Sequence, residues 1–271
     1  MMRSLWTAAS GMISQQTNVD TISNNLANIN TTGYKKETAQ FKSLLYQTIQ
    51  ANSTNSDGSE KPVGIQVGLG VRTSAIESQY TQGALKETGN DFDFAIQGNG
   101  FFRVLTGDGT IAYTRNGAFG LSLGTNGFML ATTEGYPVLD TTGAPIVLDD
   151  DLDMTKLVID ENGNLQYPDN NGKLQPLGIQ ISLVQFNNPA GLEKTSDSLL
   201  KETAASGAPR LESEDTGLKK SKIKKGYLES SNVEAVNEMV DLIVAQRAYE
   251  MNSKAINAAD EMLQQANNLR R

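Results

Sequence analysis

The sequence predicts an α+β fold in which a central, mainly antiparallel β domain is inserted between two long terminal helices. Apolar residues recur at helical spacing near both ends of the 271-residue chain. Between the ends, Asn-Gly and Asp-Gly dipeptides alternate with short stretches of period-two apolar pattern, which is typical of strands joined by tight turns.

The N-terminal helix is predicted over residues 1–35, with Gly33 as a signal for its end. Its apolar residues fall at heptad spacing, which is typical of a helix that buries one narrow stripe. We call this stripe the N-terminal seam, formed by Leu5, Met12, Val19, Ile22, Leu26 and Ile29.

The far side of the same helix carries only Ser, Thr and Asn. We call it the neutral stripe: Thr7, Ser10, Ser14, Thr17, Thr21, Asn24, Asn28 and Thr31. Arg3 and Asp20 are the only charged residues among residues 1–34. Because neutral polar groups are buried at a modest cost when each finds a partner, the pattern predicts a helix packed on several sides by copies of itself. The alternative is one helix packed on its own domain with an uncharged outer face.

An extended connector is predicted over residues 36–75, with a polar insertion at 51–64, followed by the β domain over 76–205. Within the β domain, "DFDFAI" and "LGIQISLVQF" each place alternate apolar residues on one face. We therefore expect one packed core between antiparallel strands.

A return connector is predicted over residues 206–230. It carries five lysines within Lys219–Lys225. Such a run is usually a solvated linker, and the alternative is a contact with the acidic surface of a neighbouring subunit.

The C-terminal helix is predicted over residues 231–271. Ser231 and Glu234 have the spacing of a capping box at its start. Arg247 and Glu250, three residues apart, pair either within the helix or across subunits. The apolar stripe of this helix, the C-terminal seam, is formed by Val236, Val240, Val244, Met251, Ala255 and Met262.

Composition excludes several functions. The chain has no Cys and no His, which excludes disulfides, thiolate metal sites and His-based catalysis. A net charge of −8 argues against nucleic-acid binding, and no stretch is long enough to insert into a membrane. The N-terminus has no apolar run of signal-peptide length. "SLLK" (Ser198–Lys201) has the S-x-x-K spacing of serine acyl enzymes but lacks its companion motifs. We predict no catalytic residue, no cofactor and no metal.

Four motifs resemble those of the flagellar rod and hook proteins. They are "NNLANINTTGYKK" (Asn24–Lys36), "GNGFFRV" (Gly98–Val104), "AYTRNGAF" (Ala112–Phe119) and the long stretch beginning "GYLESSNVEAVNEM" at Gly226. The N-terminal and C-terminal motifs carry the signature residues Asn24, Asn25, Asn28, Gly33, Tyr34, Arg247, Tyr249 and Asn252. Within that family the sequence is most similar to the distal rod members of the basal body.

The resemblance implies a structural subunit that polymerises into a rigid hollow shaft, which transmits torque to the hook and forms part of the export channel. It implies that the two terminal helices pair as a coiled coil in an inner tube. It also implies type III export without a cleavable signal peptide, to a place that spans the periplasm and cell wall. The implied partners are copies of the chain, other rod proteins, the hook protein, and rod cap and ring proteins.

Two alternatives remain open at this point. One is a proximal rod or hook-type axial subunit. The other, from a different class, is a secreted β-domain protein that binds or hydrolyses glycans, which would need facing Asp or Glu side chains in a deep pocket.

Overall fold

A computed structural model describes residues 2–50, 64–124, 127–149, 156–169, 173–215 and 217–269 of the chain. It divides into two compact units. The first unit comprises Met1–Ala27, Glu37–Ser78 and Glu234–Arg271, and the second comprises Asn28–Lys36 and Gln79–Val233. The predicted N-terminal helix, central antiparallel β domain and C-terminal helix are confirmed. Among the described residues, no helix is both long and apolar enough to cross a bilayer.

The first unit consists of a helix pair and two antiparallel strand pairs. Its elements are α1 (Met2–Ala27), β1 (Glu37–Ser43), β2 (Tyr46–Gln50), β3 (Ile65–Gly68), β4 (Val71–Ser78) and α2 (Ala235–Asn268). Strand β1 pairs with β4, and β2 pairs with β3. In the segment 36–75, expected to be an extended connector, the described residues therefore form two paired ladders. Of the insertion predicted at 51–64, residues 51–63 lie outside the described residues.

Helix α1 ends at Ala27, earlier than the predicted boundary at residue 35. The chain turns immediately afterwards: the Thr31 amide donates to the Asn28 carbonyl at 3.2 Å, and the Thr31 hydroxyl lies 3.1 Å from Asn28 Oδ1. Asn and Thr side chains offer the backbone hydrogen bonds that compete with a helix. The Asn-rich sequence thus ends the helix before Gly33 is reached.

Helix α2 begins at Ala235, and its N-cap is Glu234, whose side chain makes no capping hydrogen bond. The capping box predicted from Ser231 and Glu234 is therefore wrong. Ser231 Oγ instead accepts from the Val233 amide at 3.3 Å, within the turn that precedes the helix. The extended backbone at this turn places both residues before the helix proper.

The second unit is built entirely from strands and turns in its described residues. Its strands are β5 (Leu85–Glu87), β6 (Phe94–Gln97), β7 (Phe101–Leu105), β8 (Ile111–Thr114), β9 (Phe119–Gly124), β10 (Gly127–Thr132), β11 (Val147–Leu148), β12 (Val158–Ile159), β13 (Asn164–Pro168), β14 (Leu174–Gln180), β15 (Leu183–Gln185), β16 (Glu193–Lys194), β17 (Leu200–Lys201), β18 (Arg210–Leu211), β19 (Lys222–Lys225) and β20 (Tyr227–Glu229), with a 3-10 turn at Pro189–Gly191. The largest sheet has the order β16-β17-β8-β7-β15-β18, and its pairs are antiparallel.

Two clusters of buried apolar side chains replace the single core that was expected. The larger contains Phe94, Ile96 and Ile181, with Phe92 packed at its edge. The smaller lies around Phe101 and packs aromatic rings edge to face. Strand β7 explains the division, because its successive side chains point to opposite faces and Phe101 and Phe102 contribute to different clusters.

Two of the predicted turn dipeptides close hairpins. Asp108-Gly109 joins β7 to β8, and Asn162-Gly163 joins β12 to β13. Gly109 and Gly163 have φ values of 76° and 81°, a left-handed conformation that glycine adopts without steric cost.

The segment 206–230, expected to be a connector, contributes three strands to the second unit. Within its lysine run, β19 pairs with β6 and Ile223 is buried in the larger cluster. Lys222 Nζ lies 2.5 Å from Glu161 Oε2, and Lys225 Nζ lies 2.8 Å from Asp91 Oδ1. The prediction of a solvated linker is thus wrong, because this segment pairs with β6 and buries Ile223 between its lysines.

Candidate assembly surface

The residues that α1 and α2 bury are mostly small or neutral and polar, and Glu238 is a buried carboxylate among them. The buried residues of α1 are Ala8, Ser14, Thr21, Ile22 and Asn25, and those of α2 are Glu238, Ala245 and Ala259. A Cβ atom added to Gly11 would lie 2.9 Å from Asn252 Nδ2. Gly11 has no side chain that would keep the two helices apart. The signature residue Asn252 therefore packs directly against the backbone of α1.

Several hydroxyls of the neutral stripe bond to the backbone of their own helix. Thr17 Oγ1 donates to the Ile13 carbonyl at 3.1 Å, and Thr21 Oγ1 donates to the Thr17 carbonyl at 2.8 Å. Ser14 and Thr21 are buried within the unit, whereas Thr7 is exposed. The neutral stripe is therefore divided between the inside of the unit and its surface, and the buried Thr21 hydroxyl needs no second copy to be satisfied.

Asn25 joins three elements of the first unit and is fully buried. Its Nδ2 donates to the Glu37 carbonyl at 2.8 Å and to Glu238 Oε2 at 3.0 Å. Its Oδ1 accepts from the Glu37 amide at 2.8 Å. One amide thus fixes the end of α1, the start of β1 and the first turn of α2, which an aliphatic residue could not do.

The neighbouring Asn24 is exposed and lies 3.4 Å from Glu37 Oε2. Asn28 is half-buried in the turn after α1. The three signature asparagines of the N-terminal motif therefore occupy three different environments, and only Asn25 is a buried junction.

The C-terminal seam lies on the exposed side of α2. Val236, Val244 and Met251 are 75%, 62% and 63% exposed, and Val240 and Met262 are more than half exposed. Ala255 is exposed as well. Sequence reasoning missed the face that α2 buries, which is marked by Ala245 and Ala259. Alanines at such spacing give a weaker hydrophobic signal than the valines and methionines beside them.

The N-terminal seam is mostly half-buried. Leu5, Met12, Val19, Leu26 and Ile29 are half-buried, whereas Ile22 is 6% exposed.

On α2, Arg247 pairs with Glu250 at 2.8 Å, and both side chains are largely exposed. Tyr249 is 43% exposed.

In the second unit, Lys35, Arg115 and Glu229 form a buried charge cluster that sequence reasoning missed. Lys35 Nζ lies 2.6 Å from Glu229 Oε1 and donates to the Thr81 carbonyl at 2.8 Å. Arg115 Nε lies 3.5 Å from Glu229 Oε2. These three side chains are at most 4% exposed. Glu229 Oε1 also accepts from the Gly83 amide at 2.9 Å.

Burial is the main influence on the pKa values of Lys35 and Arg115. It lowers the pKa of the Lys35 ammonium, and the nearby Arg115 guanidinium lowers that pKa further, while Glu229 opposes both effects. Burial likewise lowers the pKa of Arg115. The Glu229 carboxylate thus stabilises the charged form of each cation, which burial disfavours. A sequence signal existed: Lys35, Arg115 and Glu229 each lie within one of the family-like motifs.

Gly33 and Asn232 complete this junction. Gly33 has a φ of +71°, and its amide donates to the Glu229 carbonyl at 2.8 Å. A Cβ there would lie 2.8 Å from the Arg115 carbonyl carbon, so only glycine fits. Asn232 Oδ1 accepts from the Lys36 amide at 2.7 Å, and its Nδ2 donates to the Gln79 carbonyl at 2.9 Å.

A cavity of about 210 Å³ lies beside the charge cluster, and Tyr34 is among its lining residues. Its charged lining residues are the cations Lys35, Arg115 and Lys194. The facing carboxylates that a glycan hydrolase requires are therefore not found in this cavity. Among the described residues, no cluster of His, Cys, Asp or Glu has the size and spacing to hold a metal ion.

Three family models match the regions that carry these sites. The "Flagella basal body rod protein" model matches residues 5–35. The "Flagellar hook protein FlgE/F/G D1 domain" model matches residues 95–167, and the "Flagellar basal body rod FlgEFG protein C-terminal" model matches residues 224–269.

Curated relatives match over the full length of the chain. The flagellar basal-body rod protein FlgG of Borreliella burgdorferi is 45% identical over 100% of both chains. FlgG of Agrobacterium fabrum is 44% identical over 96% of this chain and 97% of its own. The flagellar hook-basal body complex protein FlhP of Bacillus subtilis is 32% identical over 100% of both chains. The chain therefore belongs to the family of flagellar basal-body rod proteins.

Proposed function

We propose that the protein is the distal rod subunit of the flagellar basal body and polymerises into a rigid hollow shaft. The polymer transmits torque to the hook and forms part of the export channel. The relatives named FlgG, at 45% and 44% identity, support the distal assignment over the relative named FlhP, at 32%.

The exposure of the C-terminal seam is the observation on which the proposed polymerisation rests. Val236, Val240, Val244 and Met251 leave more than half of their surface to solvent along one helix. Apolar surface of this kind on a soluble protein marks an interaction site. In a polymer of identical subunits the covering surface is supplied by neighbouring copies.

The paired helices α1 and α2 form a coiled coil in the inner tube of the shaft. The close contact between Gly11 and Asn252 supports tight pairing of the two helices. The contact also contains the buried Asn25, whose neutral amide can be packed on more than one side at a modest cost once its hydrogen bonds are made.

The remaining assignments follow from membership of the family. The subunit is exported through the type III channel without a cleavable signal and is placed across the periplasm and cell wall. Its partners are other copies, other rod proteins, the hook protein, and rod cap and ring proteins.

Polymerisation of the purified full-length protein tests the proposal. We expect pelletable polymer above a critical concentration for the wild type and none for Val240→Asp/Val244→Asp, because the two carboxylates would be buried in the contact without a partner. The matched control is Asn257→Asp/Gln265→Asp, which adds the same charge at exposed polar positions of α2. Equal polymerisation of the two double variants would exclude the C-terminal seam as the contact.

A proximal rod or hook-type subunit is the second candidate, favoured by the match to the hook-protein D1 model. Deletion of residues 51–64 separates the two candidates. We expect a distal rod subunit to lose straightness in electron micrographs of its polymer after this deletion. A polymer that stays equally straight favours the second candidate.

A further inference from the structure

Trp6 is a large apolar side chain with little cover in the structure. It is the only tryptophan of the chain and is 72% exposed on α1. Tryptophan is the residue type most enriched among the anchors that dominate the binding energy of protein interfaces. A single exposed indole near the start of a helix is therefore a candidate anchor.

The same unit contains a groove that suits an indole. The groove has a volume of about 400 Å³ and lies between α1 and α2, lined by Gln16, Val19, Gln246, Tyr249 and Glu250. Val19 and Tyr249 are its apolar lining residues, and the two glutamines and Glu250 are its polar ones. Apolar pockets ringed by polar residues are where aromatic anchors are usually seated.

Trp6 cannot fill the groove of its own copy. Val19 lies 13 residues further along α1, which is about 20 Å at the rise of a straight helix. A side chain spans less than half of that distance, so the occupant must come from another molecule.

Charge supports a second copy as that molecule. Arg3 is the only cation in α1 and lies one turn before Trp6, on the same side of the helix. Glu250, which lines the groove, is more than half exposed and pairs with the exposed Arg247. An incoming Arg3 would thus meet a carboxylate that is accessible from solvent, which sets the orientation of the contact.

We propose that Trp6 of one copy inserts into the groove between α1 and α2 of a second copy, with its Arg3 beside Glu250. The inference rests on the proposed polymerisation and adds a register to it. Two copies whose first helices run parallel would be offset by about 20 Å along the helix axis.

Tryptophan fluorescence tests the inference without a label, because the chain has no other tryptophan. We expect the monomer to show the emission of a solvated indole and full iodide quenching. In the polymer we expect blue-shifted emission and quenching reduced by about tenfold. A polymer with an indole that is still accessible would overturn this inference while leaving the proposed function intact. Absence of polymer at any concentration would overturn both.

A charge exchange tests the pairing of Arg3 with Glu250. We expect Arg3→Glu and Glu250→Arg each to raise the critical concentration about tenfold, and the double variant to recover most of that loss. The matched control combines Arg3→Glu with Glu261→Arg, at an exposed position further along α2, and should not recover. If the control recovers as well, or if the intended pair does not, the proposed register is wrong.

Discussion

The second unit, built from strands, buries most of its large apolar side chains, whereas the first unit, which contains both helices, leaves many of its own exposed. Phe102 and Val104 in the second unit are fully buried, whereas Val236, Val244 and Met251 in the first are 62–75% exposed. The two units also differ in what else they bury, since the helix contact is made mainly of small and neutral side chains and the β unit encloses an ion cluster. This difference indicates that the second unit completes its own packing, while the first retains surface for other molecules.

Truncation of one side chain in each unit should give the largest contrast. We expect Phe102→Ala to lower the free energy of unfolding of the β unit by about 3–5 kcal/mol, because it leaves a cavity in a filled core. Val244→Ala should change the stability of the monomer by less than about 0.5 kcal/mol, because its side chain is mostly solvated. Urea denaturation of the monomer measures both, and equal losses would remove the contrast.

The ion cluster of the β unit should be the next most sensitive feature. We expect Glu229→Gln to cost about 3 kcal/mol, because Lys35 and Arg115 would stay buried without their shared carboxylate. Glu193→Gln, at an exposed strand position, is the matched control and should be nearly neutral. A Glu229→Gln protein with the thermal midpoint of its control would show that the cluster contributes little to stability.

The next largest effect is expected at Asn25, the buried junction of the first unit. We expect Asn25→Ala to cost about 2 kcal/mol, since three hydrogen bonds are lost and the groups left behind are desolvated. The adjacent Asn24→Ala should be neutral or slightly stabilising, because alanine has the higher helix propensity at an exposed position. The helical circular dichroism signal during denaturation measures both variants. A larger loss for Asn24→Ala would contradict the assignment of Asn25 as the junction.

The smallest effect is expected from pH in the β unit. Burial, together with the Glu202 carboxylate, raises the pKa of Tyr113 from 10.0 to about 12. The stability that follows from this shift is complete below pH 10 and is lost as the pH rises towards 12, because the unfolded state releases the proton first. Between pH 9 and pH 11 we expect about 1.3 kcal/mol of loss. Tyr113→Phe should not show this part of the loss, and parallel urea titrations of the wild type and the variant at pH 9 and pH 11 provide the check.

Much of the fold could be predicted from local patterns. Period-two alternation predicted that Phe94 and Ile96 share a buried face, and the dipeptides at Gly109 and Gly163 predicted hairpins. The cluster around Lys35, Arg115 and Glu229 could not be predicted in this way. Its members are up to 194 residues apart in sequence, and a charged residue shows no hydrophobic period that would indicate burial.

By itself the sequence determined the two helices, the antiparallel β domain between them and the family to which the chain belongs, because these depend on spacings and motifs that are local along the chain. Only the tertiary structure decided which side of α2 is buried, where α1 ends and whether the lysine run forms a strand. Helical periodicity ranks the faces of a helix by apolar content, but burial depends on which face fits the neighbouring backbone. Here Ala245 and Ala259 fit against α1, and the more apolar valines and methionines are left at the surface.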